Sequence, residues 1–204
     1  TLPTTPIQGL EDASGEIALC ILSAINVGTL RNHDDLENLC DLAVRALDEI
    51  IDYQNYPVKA AEISTKSRRS LGIGYIGLAH YLAKRELHYS DDKAAKEVGR
   101  LTEAFQYYLI SASAQLAKEK GTCSAYNETK YSKGILPIDT YKDDIDKFLG
   151  KQLLLDWKTL RETVKEHGLR HSTLSAQMPS ESSPVVSNET NGIEPPRAYM
   201  NTKK

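Results

Sequence analysis

The sequence predicts an α/β fold. Three features carry that reading: short apolar runs bounded by glycine, longer stretches with apolar residues at helical spacing, and the alternation of the two along the chain. The 204 residues are 40% hydrophobic and 26% charged, enough for one sizeable core or a piece of a larger one.

The first 15 residues read as a Pro/Gly/Asp-rich loop. Ile17 to Asn26 is a near-continuous apolar run between Gly15 and Gly28, which suits a strand buried on both faces, with Cys20 in its middle. Asp34 to Tyr53 reads as an amphipathic helix with the stripe Leu36, Leu39, Cys40, Ala43, Val44, Leu47, Ile50 and Ile51, capped by Asn32 or Asp34. A short strand near Leu71 and a helix from Tyr75 to Glu86 follow, packed closely through glycines. Ser90-Asp91-Asp92 is placed to cap a long helix to about Lys120, where Gly121 stops it. Residues 127–150 are polar and irregular. Asp156 to His167 reads as a short helix around Trp157, Leu160 and Val164, closed by Gly168. Tyr199 to Thr202 reads as the start of a strand, and both ends read as cut, so the chain is expected to be a fragment or one piece of a split protein.

Composition excludes several classes. The net charge is −3 and no basic block stands out, which argues against nucleic-acid binding. No apolar run reaches membrane-spanning length and no signal-peptide pattern opens the chain, so the expected location is cytoplasmic. Three widely spaced cysteines make no disulfide framework. Of five histidines only His167 and His171 have i, i+4 spacing, and Gly168 interrupts them, so no metal site is expected.

Two stretches carry chemistry. Thr173 to Met178 is an extended run stopped by Pro179; Ser180, Glu181, Ser182 and Ser183 follow, ahead of Pro184 and Val185-Val186. A strand, a tight turn and a serine-rich helix start offer unpaired N–H groups and hydroxyls, a cradle for phosphate that needs no lysine. An ordinary capped helix fits the same spacing. Cys20 is either a small buried hydrophobe or a working thiol. Gly72, Gly74 and Gly77 spell G-x-G-x-x-G, the fingerprint of dinucleotide binding, but residues 62–69 before it are too polar for the strand that the motif needs.

The wording of several phrases decides between these readings. GEIALC at 15–20, RRSLGIGYIGLA at 68–79, YSKGILPIDTY at 131–141, MPSESS at 178–183 and SNETNGIEPPR at 187–197 closely resemble the large (alpha) subunit of class I ribonucleotide reductase. The resemblance runs over nearly the whole chain, to about Arg197. It implies part of the second half of a ten-stranded α/β barrel, so that residues 1–204 form a partial catalytic barrel domain without the regulatory ATP-cone or specificity-loop regions. It implies reduction of ribonucleoside diphosphates to deoxyribonucleoside diphosphates by thiyl-radical chemistry, for DNA synthesis. By position, Cys20 would be one of two redox cysteines, and Pro179, Ser180, Glu181, Ser182 and Ser183 would hold the substrate diphosphate. The Glu181 backbone rather than its carboxylate would face the ligand, and Pro184, lacking an N–H, ends the cradle. Leu22 would share the side of Cys20 and help floor the nucleotide.

The resemblance also implies partners: the rest of the large subunit, a radical-generating small subunit with its metal centre, and thioredoxin or glutaredoxin as reductant. No cofactor is expected on this chain itself, and ATP and deoxynucleotide effectors would bind elsewhere. The radical cysteine is expected just before Thr1 and the radical-relay tyrosines beyond Lys204, so the chain alone should not turn over. An NAD-dependent oxidoreductase and a non-catalytic remnant or assembly module are the alternatives.

Overall fold

Two parallel strands form the centre of the computed structural model, which describes residues 4–150 and 153–198; the expected strand at Tyr199 to Thr202 lies outside the described residues. Strand β1 (Ile21–Asn26) pairs with β2 (Leu71–Ile76) in register from Ile21↔Leu71 to Asn26↔Ile76. Parallel neighbours need a crossover. Helices α1 (Asp35–Tyr53) and α2 (Lys59–Arg68) supply it.

The run 173–178 lies along the other edge of β2. The Leu71 N–H donates to the Thr173 carbonyl at 3.0 Å, the Ile73 N–H to Leu174 at 2.9 Å, and the Ala176 N–H to Ile73 at 3.1 Å. Only the bridge Ile73↔Ser175 is regular. Beyond it the Gln177 side chain takes over the backbone's role, donating from Nε2 to the Tyr75 carbonyl at 2.8 Å. Strand β2 is therefore the middle strand, and all six of its residues are buried.

This arrangement corrects the expectation for the first apolar run. Regular pairing starts at Ile21, so Cys20 sits just ahead of β1 rather than in mid-strand. The strand is not buried on both faces: Leu22 is 56% exposed. Its residues alternate between the core and an open face, whereas the glycine-rich β2 is the doubly covered strand.

Helix α1 buries Leu36, Cys40, Val44, Leu47 and Ile51, successive residues three or four apart on one face. Leu39 and Ile50, read as part of that stripe, lie outside it and are exposed. The Asn32 carboxamide oxygen accepts from the Asp35 N–H at 3.1 Å and caps the helix. Gly77 (φ +82°) turns β2 into α3 (Leu78–Ala83), shorter than expected at both ends: Tyr75 and Ile76 belong to the strand, and the helix stops at Ala83 rather than Glu86, which has φ +56°. Helix α4 (Asp92–Lys120) buries Leu101, Phe105, Leu109, Ala112 and Leu116 and ends at Gly121. Its expected side-chain cap is not made; the Asp91 carboxylate instead accepts from the His88 N–H at 2.8 Å. Short 3-10 turns and α5 (Asp146–Leu149) fill the irregular stretch. Helix α6 (Trp157–His167) is capped by the Asp156 carboxylate on the Thr159 N–H at 3.1 Å and packs Trp157, Leu160 and Val164 into the core beside α4. Helix α7 (Ser182–Val186) is the last regular element among the described residues.

Candidate functional site

The site forms where the open face of β1 meets the chain leaving 173–178. Cys20 is a half-buried free thiol. It and Leu22 reach the same side of the sheet, over Gly72. A Cβ at Gly72 would stand 2.7 Å from the Cys20 Sγ, 2.6 Å from Leu22 Cδ2 and 3.2 Å from the Ala176 Cβ. The glycine is the space that the thiol occupies. Gly74 does the same for Met178, whose Sδ would lie 2.9 Å from such a Cβ. Burial pushes the Cys20 thiol up from its ordinary value, so it stays protonated at neutral pH.

A cavity of about 410 Å³ opens next to this patch, lined by Leu22, Ser23, Ala24 and residues 178–183. The expected loop, Pro179 to Ser183, is thus brought against Leu22. Cys20 does not line that cavity; its sulfur shares the space over Gly72 with Leu22, which does. Within the loop Ser180 is 5% exposed, and its hydroxyl has no hydrogen-bond partner. A buried hydroxyl without a protein partner is costly, and a water or a ligand can satisfy it. The N–H groups of Ser182 and Ser183 lie in the first turn of α7, where the helix provides no acceptor. Glu181 occupies the cap position with an exposed side chain that makes no capping bond. Pro184 is buried.

The other cysteines are remote in character. Cys40 is fully buried in the α1 stripe, its thiol pushed up to about 12 by desolvation, and Cys123 is buried as well. No group of three or more His, Cys, Asp or Glu side chains suited to a metal occurs among the described residues. No described helix is long and apolar enough to cross a membrane.

The dinucleotide reading fails on geometry. Gly72 and Gly74 are inside β2, not in the turn after it, and the helix that follows has only six residues. The turn at Gly77 is filled by the Glu189 side chain, 2.7 Å from where a Cβ would stand and 3% exposed. A buried carboxylate holds the place that a pyrophosphate would need. Glu189 bonds to His80 Nδ1 at 2.9 Å, a pair that sequence reasoning missed. A larger cavity of about 850 Å³ lies beside that pair, between α3 and α7, and contains neither Cys20 nor Ser180.

Parallel strands joined by helices, with a thiol and a serine loop on adjoining parts of one open face, define an α/β protein. Residues 6–204 match the family model described as the ribonucleotide reductase barrel domain. The chain is 56% identical over 203 residues to the ribonucleoside-diphosphate reductase subunit alpha of Buchnera aphidicola subsp. Schizaphis graminum, covering 100% of this chain and 27% of that protein. It is 57% identical over 202 residues to the same subunit of Haemophilus influenzae, covering 99% and 27%, and 56% identical over 153 residues to the ribonucleoside-diphosphate reductase 1 subunit alpha of Escherichia coli, covering 75% and 20%. The chain belongs to the ribonucleotide reductase large-subunit family, in its barrel domain, and spans about 27% of the length of the first two relatives.

Proposed function

We propose that this chain contributes one redox thiol and the diphosphate-holding loop to an enzyme that reduces ribonucleoside diphosphates to deoxyribonucleoside diphosphates. The observation that carries the proposal is the placement of Cys20 and the partnerless, buried Ser180 hydroxyl on adjoining parts of one sheet face, with Gly72 clearing room for the sulfur. A nucleoside diphosphate reaching from the loop across Leu22 lays its ribose towards Cys20.

The loop's contribution is binding. The Ser180, Ser182 and Ser183 hydroxyls and the first-turn N–H groups of α7 present donors to phosphate oxygens, aided by the positive end of a short helix dipole. The Glu181 side chain stays in solvent. Cys20 contributes hydrogen and electrons. Replacing a ribose C2′–OH by C2′–H takes two thiols, releases one water, and leaves one disulfide. Burial keeps Cys20 as a thiol, the form that carries the hydrogen. The second thiol, the radical that initiates the reaction and the binding of effectors belong, on this reading, to the rest of the large subunit and to a radical-generating small subunit. Thioredoxin or glutaredoxin resets the disulfide.

The test is Cys20→Ser in a full-length large subunit carrying this sequence, assembled with its small subunit. Multiple-turnover reduction supported by dithiol reductants should collapse. Full turnover in that variant removes Cys20 from the mechanism and favours a non-catalytic role for this segment.

A further inference from the structure

A second cluster of ionisable groups lies under the sheet, away from the thiol. Asp48, near the end of α1, is fully buried. Its carboxylate accepts from Arg69 Nε at 2.5 Å, from His171 Nε2 at 3.1 Å and from Arg170 Nε at 3.3 Å, with Lys120 Nζ 3.6 Å away. Its backbone carbonyl accepts from Arg69 Nη2 at 2.7 Å. The His171 Nδ1 faces the Ser113 hydroxyl of α4 at 2.9 Å. Ser113 donates to Nδ1 and the imidazole donates from Nε2, which is the neutral tautomer, as burial demands.

The location of the donors matters more than their number. Arg69 is the residue on which α2 turns into β2, and its φ is +47°, a left-handed conformation that a non-glycine residue holds only when something fixes it. Arg170 and His171 are the residues on which the chain from α6 passes into the run 173–178. These two junctions lie side by side: the Ser172 N–H donates to the Arg68 carbonyl at 2.9 Å, and the Ser70 and Ser172 hydroxyls are 3.0 Å apart. Asp48 therefore ties together the starting points of two neighbouring strands, sharing Arg69 with Asp52, which accepts from Nη1 at 3.0 Å and from Nη2 at 2.8 Å, and reaching the second strand through His171 and Arg170. Buried charges stabilise little relative to a packed apolar core, but they fix register, because a shifted pairing leaves a charge without its partner. A slip of one residue between β2 and 173–178 turns side chains to the opposite face of the sheet. It would remove Ala176 and Met178 from Gly72 and Gly74 and shift the loop that follows.

We propose that Asp48 is a positioning residue for the thiol and phosphate site, pinning through Arg69 and His171 the register of 173–178 on β2 and hence the placement of Ser180 relative to Cys20. This rests on the function proposed above. It also makes a claim about register that stands apart from it.

The experiment uses the full-length large subunit with its small subunit, at a temperature where each variant is folded. It compares His171→Ala, His171→Gln and Asp48→Asn by KM for a ribonucleoside diphosphate, by kcat, and by amide exchange at Ile73 and Ala176. His171→Ala and Asp48→Asn should raise KM about tenfold and speed exchange at both amides, as expected for a misplaced site. His171→Gln keeps a donor towards Asp48 and should restore both readouts. Should His171→Ala fail to fold, Asp48→Asn carries the comparison. Variants that melt at lower temperature yet keep the parent KM, kcat and exchange rates make the cluster structural only and overturn the proposal. Faster exchange at Ile73 and Ala176 with unchanged KM upholds the register claim and refutes its link to the site. A failure of the underlying site reading shows separately, as a Ser180→Ala enzyme with unchanged KM.

Discussion

Gly72→Ala is the smallest change that tests the site's construction. The added methyl would stand 2.7 Å from the Cys20 sulfur and 2.6 Å from Leu22 Cδ2. Unstrained contacts between such atoms are about 3.5–4.0 Å. Both side chains must therefore give way by about 1 Å, and the Ala176 Cβ at 3.2 Å blocks the sideways escape of the methyl. Overpacking of this kind costs about 1–3 kcal/mol of stability. Displacing a reacting group by about 1 Å costs about a hundredfold in rate. The assay is dithiol-dependent reduction of a ribonucleoside diphosphate by the full-length enzyme, alongside a denaturant titration. The expected result is a fall in kcat of about a hundredfold with a stability loss within the overpacking range. A stability loss with kcat within about twofold of the parent would refute the claim that this glycine seats the working thiol.

Ser180→Ala should leave stability unchanged or slightly raised, because the hydroxyl removed has no partner in the folded chain, while KM for the diphosphate rises about tenfold, the worth of one hydrogen bond to a charged group. Kinetics and a thermal melt on the same sample check both halves. The Asp48 and His171 cluster predicts loss of stability in acid. Burial holds His171 below its ordinary 6.5, so the unfolded chain binds a proton first as pH falls below that value, and up to about 2 kcal/mol is lost by pH 5. Burial opposes ionisation of Asp48, but bonds from His171 and Arg69 outweigh it and hold the carboxyl well below its ordinary 3.8, which adds a further loss as pH falls past that value. Denaturant titrations from pH 7 to pH 3 read both, and His171→Gln should flatten the upper part of the curve.

The fold was legible where burial is periodic. Helices α1, α4 and α6 present apolar residues three and four apart, and their ends carry Asn32, Gly121 and Asp156. Helix α2 was not legible, because its buried face is Ala60, Ala61, Ser64 and Thr65, small residues that leave no apolar stripe. Strand β2 was legible as a short strand but not in its full extent through Tyr75 and Ile76; its glycines, beside which Cys20, Leu22, Ala176 and Met178 fill the space, leave little apolar pattern to follow. For the site, the phrases around Cys20 and residues 178–183 pointed to stretches that the fold brings to adjoining parts of one sheet face. They did not separate Ser180 from Ser182 and Ser183; only burial does that. Asp48 and His171 are 123 positions apart, and nothing in either neighbourhood marks them as partners.

The most direct test of the redox role is a single turnover without added reductant. Full-length enzyme, reduced beforehand and freed of dithiol, is given a ribonucleoside diphosphate and its small subunit, quenched with an alkylating agent, and mapped by mass spectrometry. The account predicts that Cys20 becomes disulfide-bonded in proportion to the deoxyribonucleoside diphosphate formed, while Cys40 and Cys123 stay as thiols. Product formed with Cys20 still fully reduced would contradict it.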